Sequence, residues 1–216
     1  PNDIQFEISH INVVNFDIEV ASSNGFPHAD KADHEVISIA AHTSNDNMYY
    51  IWGLGDYDES KCPVDNFRYV KCKSEADLLG KFLNWWNNPN HTPDILTGWN
   101  IEFFDIPYLI NRCTKVLGEA HTKEFSPWKL LFEGNAKRFG IDHQRYEIVG
   151  IQTLDYLKLF QKFNYTYGPQ ESYSLDNISS VVLDEKKLSY EEHGSLHSLY
   201  LNDYQKFIDY NIKDVQ

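Results

Sequence analysis

The apolar positions of this chain change period along its length. Up to about residue 70 they come in short β-branched and aromatic runs; beyond residue 74 many recur every three or four positions. Ile11-Asn12-Val13-Val14 leads into Asn15-Phe16-Asp17-Ile18-Glu19-Val20, and the whole reads as a buried strand. A turn-rich loop at 22–27 separates it from a second strand, Glu35 to Ala41, with Met48 to Trp52 as that strand's neighbour across an Asn/Asp turn. A third antiparallel partner is expected near Phe67 to Val70. Ser74 then caps a helix through about Asn87, in which Leu78, Leu79, Phe82, Leu83 and Trp86 fall at helical spacing. Its two tryptophans read as core rather than as a binding platform. Pro89 and Pro93 end the segment, and Asp94 to Trp99 is a short, continuously apolar strand of the kind found inside a covered sheet.

A helix from about Asp105 to Val116 follows, with Pro107 in its first turn, where no N–H is needed, and Gly118 closing it. Between Ser126 and Ile151 the pattern is less regular, and 137–149 reads as a hairpin with Gly140 and Asp142 near its tip. Thr153 to Phe163, Ser174 to Val182, and Leu201 to the end read as helices. Meandering strands followed by helices predict an α/β fold. Without repeats, low-complexity tracts or an interdomain linker, residues 1–216 are expected to form one domain.

Composition suits a folded domain: 216 residues, 42% of them hydrophobic and 15% aromatic, can bury a full core. The net charge of −13 changes the picture. A protein that neutralises many phosphates is normally basic. Either nucleic acid is not the partner, or the acids are clustered to hold metal and the basic surface lies elsewhere. Cys62, Cys72 and Cys113 form no CxxC; a Cys62–Cys72 bridge is geometrically possible, and reduced thiols in a cytosolic protein are the expectation. No apolar run approaches a membrane span and no signal-peptide pattern opens the chain, so no membrane partner is expected. The chain starts at a proline and stops at Gln216 inside a predicted helix, which reads as a piece of something longer.

The candidate chemistry lies in three acidic places. Side chains two apart on a strand share a face, so Asp17 and Glu19 stand side by side and repel, and a buried pair of this kind calls for a cation. The alternative is an edge strand with both in solvent, the commoner case for one pair taken alone. The second place is Asn100-Ile101-Glu102-Phe103-Phe104-Asp105, directly after the apolar strand, where ligands collect in open α/β sheets. Asp105 there reads equally as a helix N-cap. The third is Tyr210-Asn211-Ile212-Lys213-Asp214 in the last helix, whose apolar stripe is Tyr204, Ile208, Ile212 and Val215. Tyr210 and Asp214, four apart, share the flank of that stripe. A lone Asp in such a place is usually a solvated surface acid.

In combination the order is far more specific: Asp-x-Glu on a strand, Asn-x3-Phe-Asp after a strand, Tyr-x3-Asp on a late helix. It resembles the three motifs of the DEDD exonuclease superfamily, in the branch marked by that tyrosine. The closer resemblance is to the 3′–5′ proofreading exonuclease domain of family B DNA polymerases, and among them to the replicative polymerases of T-even-type bacteriophages. It is carried by FDIEV at 16–20, ILTGWNIEFFDIPYLINR at 95–112, LDYLKLFQKF at 154–163, SYSLDNIS at 172–179, KLSY at 187–190 and YNIKDV at 210–215. With gaps, it runs over nearly the whole chain. The segment between the second strand and the first helix is shorter than the family's.

The resemblance implies a ribonuclease H-like α/β fold, a mixed central sheet with helices on both faces. It implies hydrolysis of the 3′-terminal phosphodiester of single-stranded DNA by two divalent ions, Mg²⁺ or Mn²⁺. Asp17 would bridge both ions, Glu19 and Asp214 would complete the nucleophile-side site, and Asp105 would act on the other ion, partly through water. Tyr210 would orient the attacking water and Asn100 would contact the substrate near the scissile end. Phe104 would stack on terminal bases, with a core role open for it and Phe103. Lys187 matches a lysine that reaches the site in the phage enzymes, and equally reads as a surface lysine. The 137–149 hairpin matches one that helps peel the primer end from its template, although its sequence diverges there. Primer–template DNA, the parent polymerase and, through it, a sliding clamp are the implied partners, and the host cytoplasm the implied location. No palm motif is present, so the chain is expected to hydrolyse DNA and not to synthesise it. The alternatives are a catalytically silent exonuclease-like DNA-binding or structural module, and a stand-alone DEDD exonuclease acting on RNA.

Overall fold

The computed structural model describes residues 7–22, 25–138, 140–185 and 188–216. Four strands open it: β1 (Val13–Val20), β2 (Val36–Thr43), β3 (Met48–Gly53) and β4 (Phe67–Lys71). Helix α1 (Glu75–Trp86), strand β5 (Ile95–Gly98) and helix α2 (Asp105–Leu117) follow. A hairpin of β6 (Leu131–Arg138) and β7 (Ile141–Ile148) precedes strand β8 (Gln152–Asp155). Helices α3 (Tyr156–Phe163), α4 (Leu175–Leu183), α5 (Leu196–Asn202) and α6 (Tyr204–Asp214) complete it.

Six of the strands form one mixed sheet in the order β4-β3-β2-β1-β5-β8. β1 runs antiparallel to β2, and β2 to β3 across the short turn at 44–47. β5 lies parallel to β1, and β8 to β5. β4 departs from expectation, for it pairs with β3 in parallel. The connection at 54–66 has roughly the dozen residues that a parallel crossover needs, so it carries the chain back instead of closing a hairpin.

Helices cover both faces. On one, Val14, Phe16 and Ile18 of β1 pack against Leu78, Phe82 and Trp86 of α1 and Leu109 and Cys113 of α2. Ser74 caps α1 as expected, its hydroxyl accepting the Asp77 N–H, a contribution of about 1 kcal/mol. Both tryptophans are core, and Trp86 Nε1 donates to the Phe125 carbonyl at 2.9 Å. On the other face, Ile37, Ala40 and Ile51 pack under Leu199 of α5 and Phe207, Ile208 and Ile212 of α6. All three cysteines are free thiols. Among the described residues, no helix is long and apolar enough to cross a membrane.

Three boundaries differ from the sequence reading. The hairpin reaches back to Leu131, and Gly140, just before β7, takes φ +79°. Residues 152–155 are strand, so the helix expected from Thr153 starts at Tyr156 with Asp155 as its cap. The final helix starts at Tyr204, because the non-helical Asp203 caps it by accepting the Lys206 N–H and thereby splits it from α5.

Candidate active site

The alternation of β1 decides where its acids go. Phe16 and Ile18 enter the core under α1 and α2, which sends Asp17 and Glu19 to the opposite face, toward α6. β1 is an interior strand between β2 and β5, and Glu19 is buried, so the solvated edge-strand alternative is excluded. Packing of Phe207, Ile208 and Ile212 fixes α6 over this face, and Asn15 Nδ2 holds its C-terminus through the Val215 carbonyl at 2.8 Å. One carboxylate oxygen from each of Asp17, Glu19 and Asp214 then falls within 4.8 Å of the others. Tyr210, one helical turn before Asp214, is buried with its ring edge-on to Tyr190 at 5.4 Å.

Asp105 reaches the same cleft by another route. It is the first residue of α2, but it does not cap the helix: Phe104 occupies the N-cap position with no side-chain hydrogen bond. The pairing of β5 with β1 ends at Asn15, which leaves the later amides of β1 without a partner strand on that side. Asp105 Oδ1 fills the gap by accepting the Ile18 N–H at 3.2 Å. The cap reading of Asp105 is therefore replaced by a strand contact between the two β1 acids. Burial pushes the Asp105 carboxyl up to about 7, opposed by its amide donors and helped by the negative charges of Asp155 and Asp214.

The loop between β5 and α2 is held by close approach and by one carboxylate. A Cβ on Gly98 would meet the Phe16 carbonyl at 2.7 Å, so only glycine lets the loop fold against β1. Asp155 then accepts three backbone N–H groups, from Asn100 (3.1 Å), Glu102 (3.1 Å) and Leu157 (2.9 Å). Sequence reasoning missed Asp155, although an Asp heading an apolar helix is a recognisable cap signal. Asn100, held at φ +65°, turns its Oδ1 to accept from Arg138 of the hairpin. Phe104 is half-buried, packs against the core, and meets the exposed Phe26 with ring centroids 4.8 Å apart and planes tilted by 47°. Phe103 instead lies under Lys158 (4.5 Å) and Arg138 (5.4 Å).

One cleft of about 570 Å³ is lined by all four acids together with Tyr210, Asn100 and Phe104. Lys187 lies outside the described residues. Clustered carboxylates with no His or Cys among them form a hard-oxygen donor set, which fits Mg²⁺ or Mn²⁺. Beyond Asn100 a second pocket, of about 360 Å³, is lined by Lys137, Arg138, Arg145 and Lys158. The acids thus cluster in one cleft, and cations collect beside it in a chain of net charge −13.

Comparison with known proteins agrees with this geometry. The family described as DNA polymerase family B, exonuclease domain, matches residues 2–178. A DNA-directed DNA polymerase of Escherichia phage RB69 is 35% identical across 99% of this chain, and that of Enterobacteria phage T4 31% across all of it. The DNA polymerase catalytic subunit of Alcelaphine herpesvirus 1 is 28% identical across 88%. The chain spans 25%, 26% and 19% of those proteins, respectively. Tyr210 and Asp214 lie beyond the family match, but within the alignment to T4 polymerase. With its motif residues gathered in one cleft and the family match over most of its length, this chain belongs to the family B DNA polymerase exonuclease domains.

Proposed function

We propose that this chain removes nucleotides from the 3′ end of single-stranded DNA and serves as the proofreading exonuclease of a replicative DNA polymerase. The observation that carries the reading is the convergence of Asp17, Glu19 and Asp214 within 4.8 Å, in a cleft that also holds Asp105 and Tyr210. Asp17, Glu19 and Asp214, with Asp105, would hold divalent cations. Bound there, Mg²⁺ or Mn²⁺ supplies a water of lowered pKa and offsets the charge that develops on the phosphate.

The remaining work falls to the chain's own groups. Tyr210 lines the cleft one turn before Asp214, and its hydroxyl would orient the attacking water. Asn100, fixed by the Asp155 clamp and by Arg138, meets the substrate near the scissile end. The tilted pair Phe26 and Phe104 offers aromatic faces to terminal bases, which suits an editing site that must accept any sequence. No step is assigned to Lys187. One continuous sheet flanked by two apolar clusters supports reading the chain as a single exonuclease domain. In the parent polymerase the 3′ end would arrive from primer–template DNA, and a sliding clamp would engage other segments. The phage relatives suggest the host cytoplasm as the place of action.

A 5′-labelled single-stranded oligonucleotide tests the reading. Incubated with the chain, it shortens from its 3′ end in Mg²⁺, stays intact in EDTA, and stays intact with the Asp214→Ala variant in Mg²⁺. An RNA oligonucleotide cut as fast as the DNA would favour the stand-alone RNA nuclease. An intact DNA strand in Mg²⁺, with both this chain and a full-length polymerase carrying it, would favour the silent module.

A further inference from the structure

We infer that Asn211 is a positioning residue for the carboxylate of Asp17, and that Ser38 sets the orientation of its amide. The inference rests on the reading of Asp17, Glu19 and Asp214 as cation ligands. Asn211 is fully buried on α6, next to Tyr210 and three residues before Asp214. Its Nδ2 donates to Asp17 Oδ2 at 3.0 Å, and its Oδ1 lies 2.7 Å from Ser38 Oγ.

Chemistry fixes which end of the amide points where. An ionised carboxylate only accepts, so the amide NH₂ has to face Asp17. Oδ1 then faces Ser38, whose single hydroxyl proton has two acceptors in reach, Asn211 Oδ1 at 2.7 Å and the Trp52 carbonyl at 3.1 Å. The proton goes to the shorter contact, because two acceptor oxygens at 2.7 Å would repel. Ser38 is itself fully buried and is the cross-strand partner of Glu19 on β2. The relay therefore starts beside one acid, passes through the helix that carries Tyr210 and Asp214, and ends on Asp17.

An asparagine in this place needs a reason. Its neighbours on the buried side of α6 are Phe207, Ile208 and Ile212, and an amide buried among such residues is costly unless bonded. Bonding it to Asp17 fixes the carboxylate with a neutral donor, so the charge that attracts cations is kept, whereas a Lys or Arg would cancel it. The N–H takes one of the several lone-pair sites that a carboxylate offers, so this bond is compatible with metal binding at Asp17. Groups that orient a ligand in this way account for about 10–100-fold in metal affinity.

The test is Mn²⁺ binding without DNA, followed by electron paramagnetic resonance, on the wild type, Asn211→Leu and Ser38→Ala, with melting in EDTA as the fold control. Leucine is close to asparagine in shape and removes the donor without adding charge. Asn211→Leu is expected to weaken Mn²⁺ binding about 10–100-fold with an undiminished EDTA midpoint, and Ser38→Ala to weaken it less, in the same direction. In nuclease assays the Mg²⁺ concentration for half-maximal rate rises with it, while kcat at saturating metal changes little. Wild-type affinity in Asn211→Leu overturns the inference and leaves the metal reading standing. A wild type that binds no Mn²⁺ fails the metal reading itself. If Asn211→Leu does not fold, Ser38→Ala decides, and unchanged affinity there overturns the inference.

Discussion

Glu75 and Asp105 solve the same local problem. Each is the first residue of a helix, each is less than a tenth exposed, and each accepts a backbone N–H from a strand: Val36 for Glu75 at 2.7 Å, Ile18 for Asp105 at 3.2 Å. Both sit at the positive end of a helix dipole, where a carboxylate is favoured. Their charged neighbours differ. Arg112 grips Glu75 with two nitrogens, each at 2.7 Å, and ties α2 to α1. The charges that act on Asp105 are those of Asp155 and Asp214, of its own sign. A buried acid with its cation built in is a brace. A buried acid set among other acids is poised for a cation from outside, at a cost to the metal-free fold.

The largest effect expected from this contrast is a crossed pair of variants. Asp17→Ala should lower the nuclease rate at least about a thousandfold, equivalent to about 4 kcal/mol, with little change in the EDTA melting midpoint. Glu75→Ala should do the reverse. It leaves the largely covered Arg112 without its carboxylate, a loss of about 3–5 kcal/mol, so the midpoint should fall by about 6–20 °C while the folded fraction still cuts DNA. Calorimetry and the oligonucleotide assay on both variants check the crossing; an Asp17→Ala chain that unfolds would make Asp17 a brace as well.

A smaller effect follows from mass action. Ligand at a hundred times its Kd stabilises by about 2.7 kcal/mol, so saturating Mg²⁺ should raise the wild-type midpoint by about 5–10 °C. Glu75→Ala should keep the increment and Asp17→Ala should lose most of it. A wild-type midpoint indifferent to millimolar metal would count against a preformed site.

Where the sequence was legible, the signal was local. Ser74 with the spacing of Leu78, Leu79 and Phe82 defined α1, and the alternation of Phe16, Asp17, Ile18 and Glu19 put the acids on one face. The four-residue step from Tyr210 to Asp214 put both in the cleft. What escaped depends on partners distant in sequence. Thr153, Leu154 and Asp155 suit a helix by themselves, and they are strand because Leu96, Thr97 and Gly98 offer a parallel edge. The direction of β4 depends on how the 54–66 connection crosses back. Asp105 looked like a cap because nothing near it in sequence reveals that β5 stops short of Ile18. Asn211 carried no signal of its own inside YNIKDV, since its partners Asp17 and Ser38 lie far away in the chain.

A further contrast separates the two buried acids by pH. Burial pushes the Asp105 carboxyl of the folded chain up to about 7, whereas an unfolded aspartate lies near 3.9. Between those values the folded state holds a proton that the unfolded state has released, so this group favours folding most below about 4. Its contribution is lost as pH rises through 7. In EDTA the wild-type midpoint should therefore carry a component that falls between pH 5 and pH 8. Asp105→Asn keeps an oxygen for the Ile18 N–H and cannot ionise, so it should lose that component and melt above the wild type at pH 8. Midpoints that run parallel for the two proteins across this range would mean that Asp105 carries no such strain, and the contrast with Glu75 would reduce to the presence of Arg112.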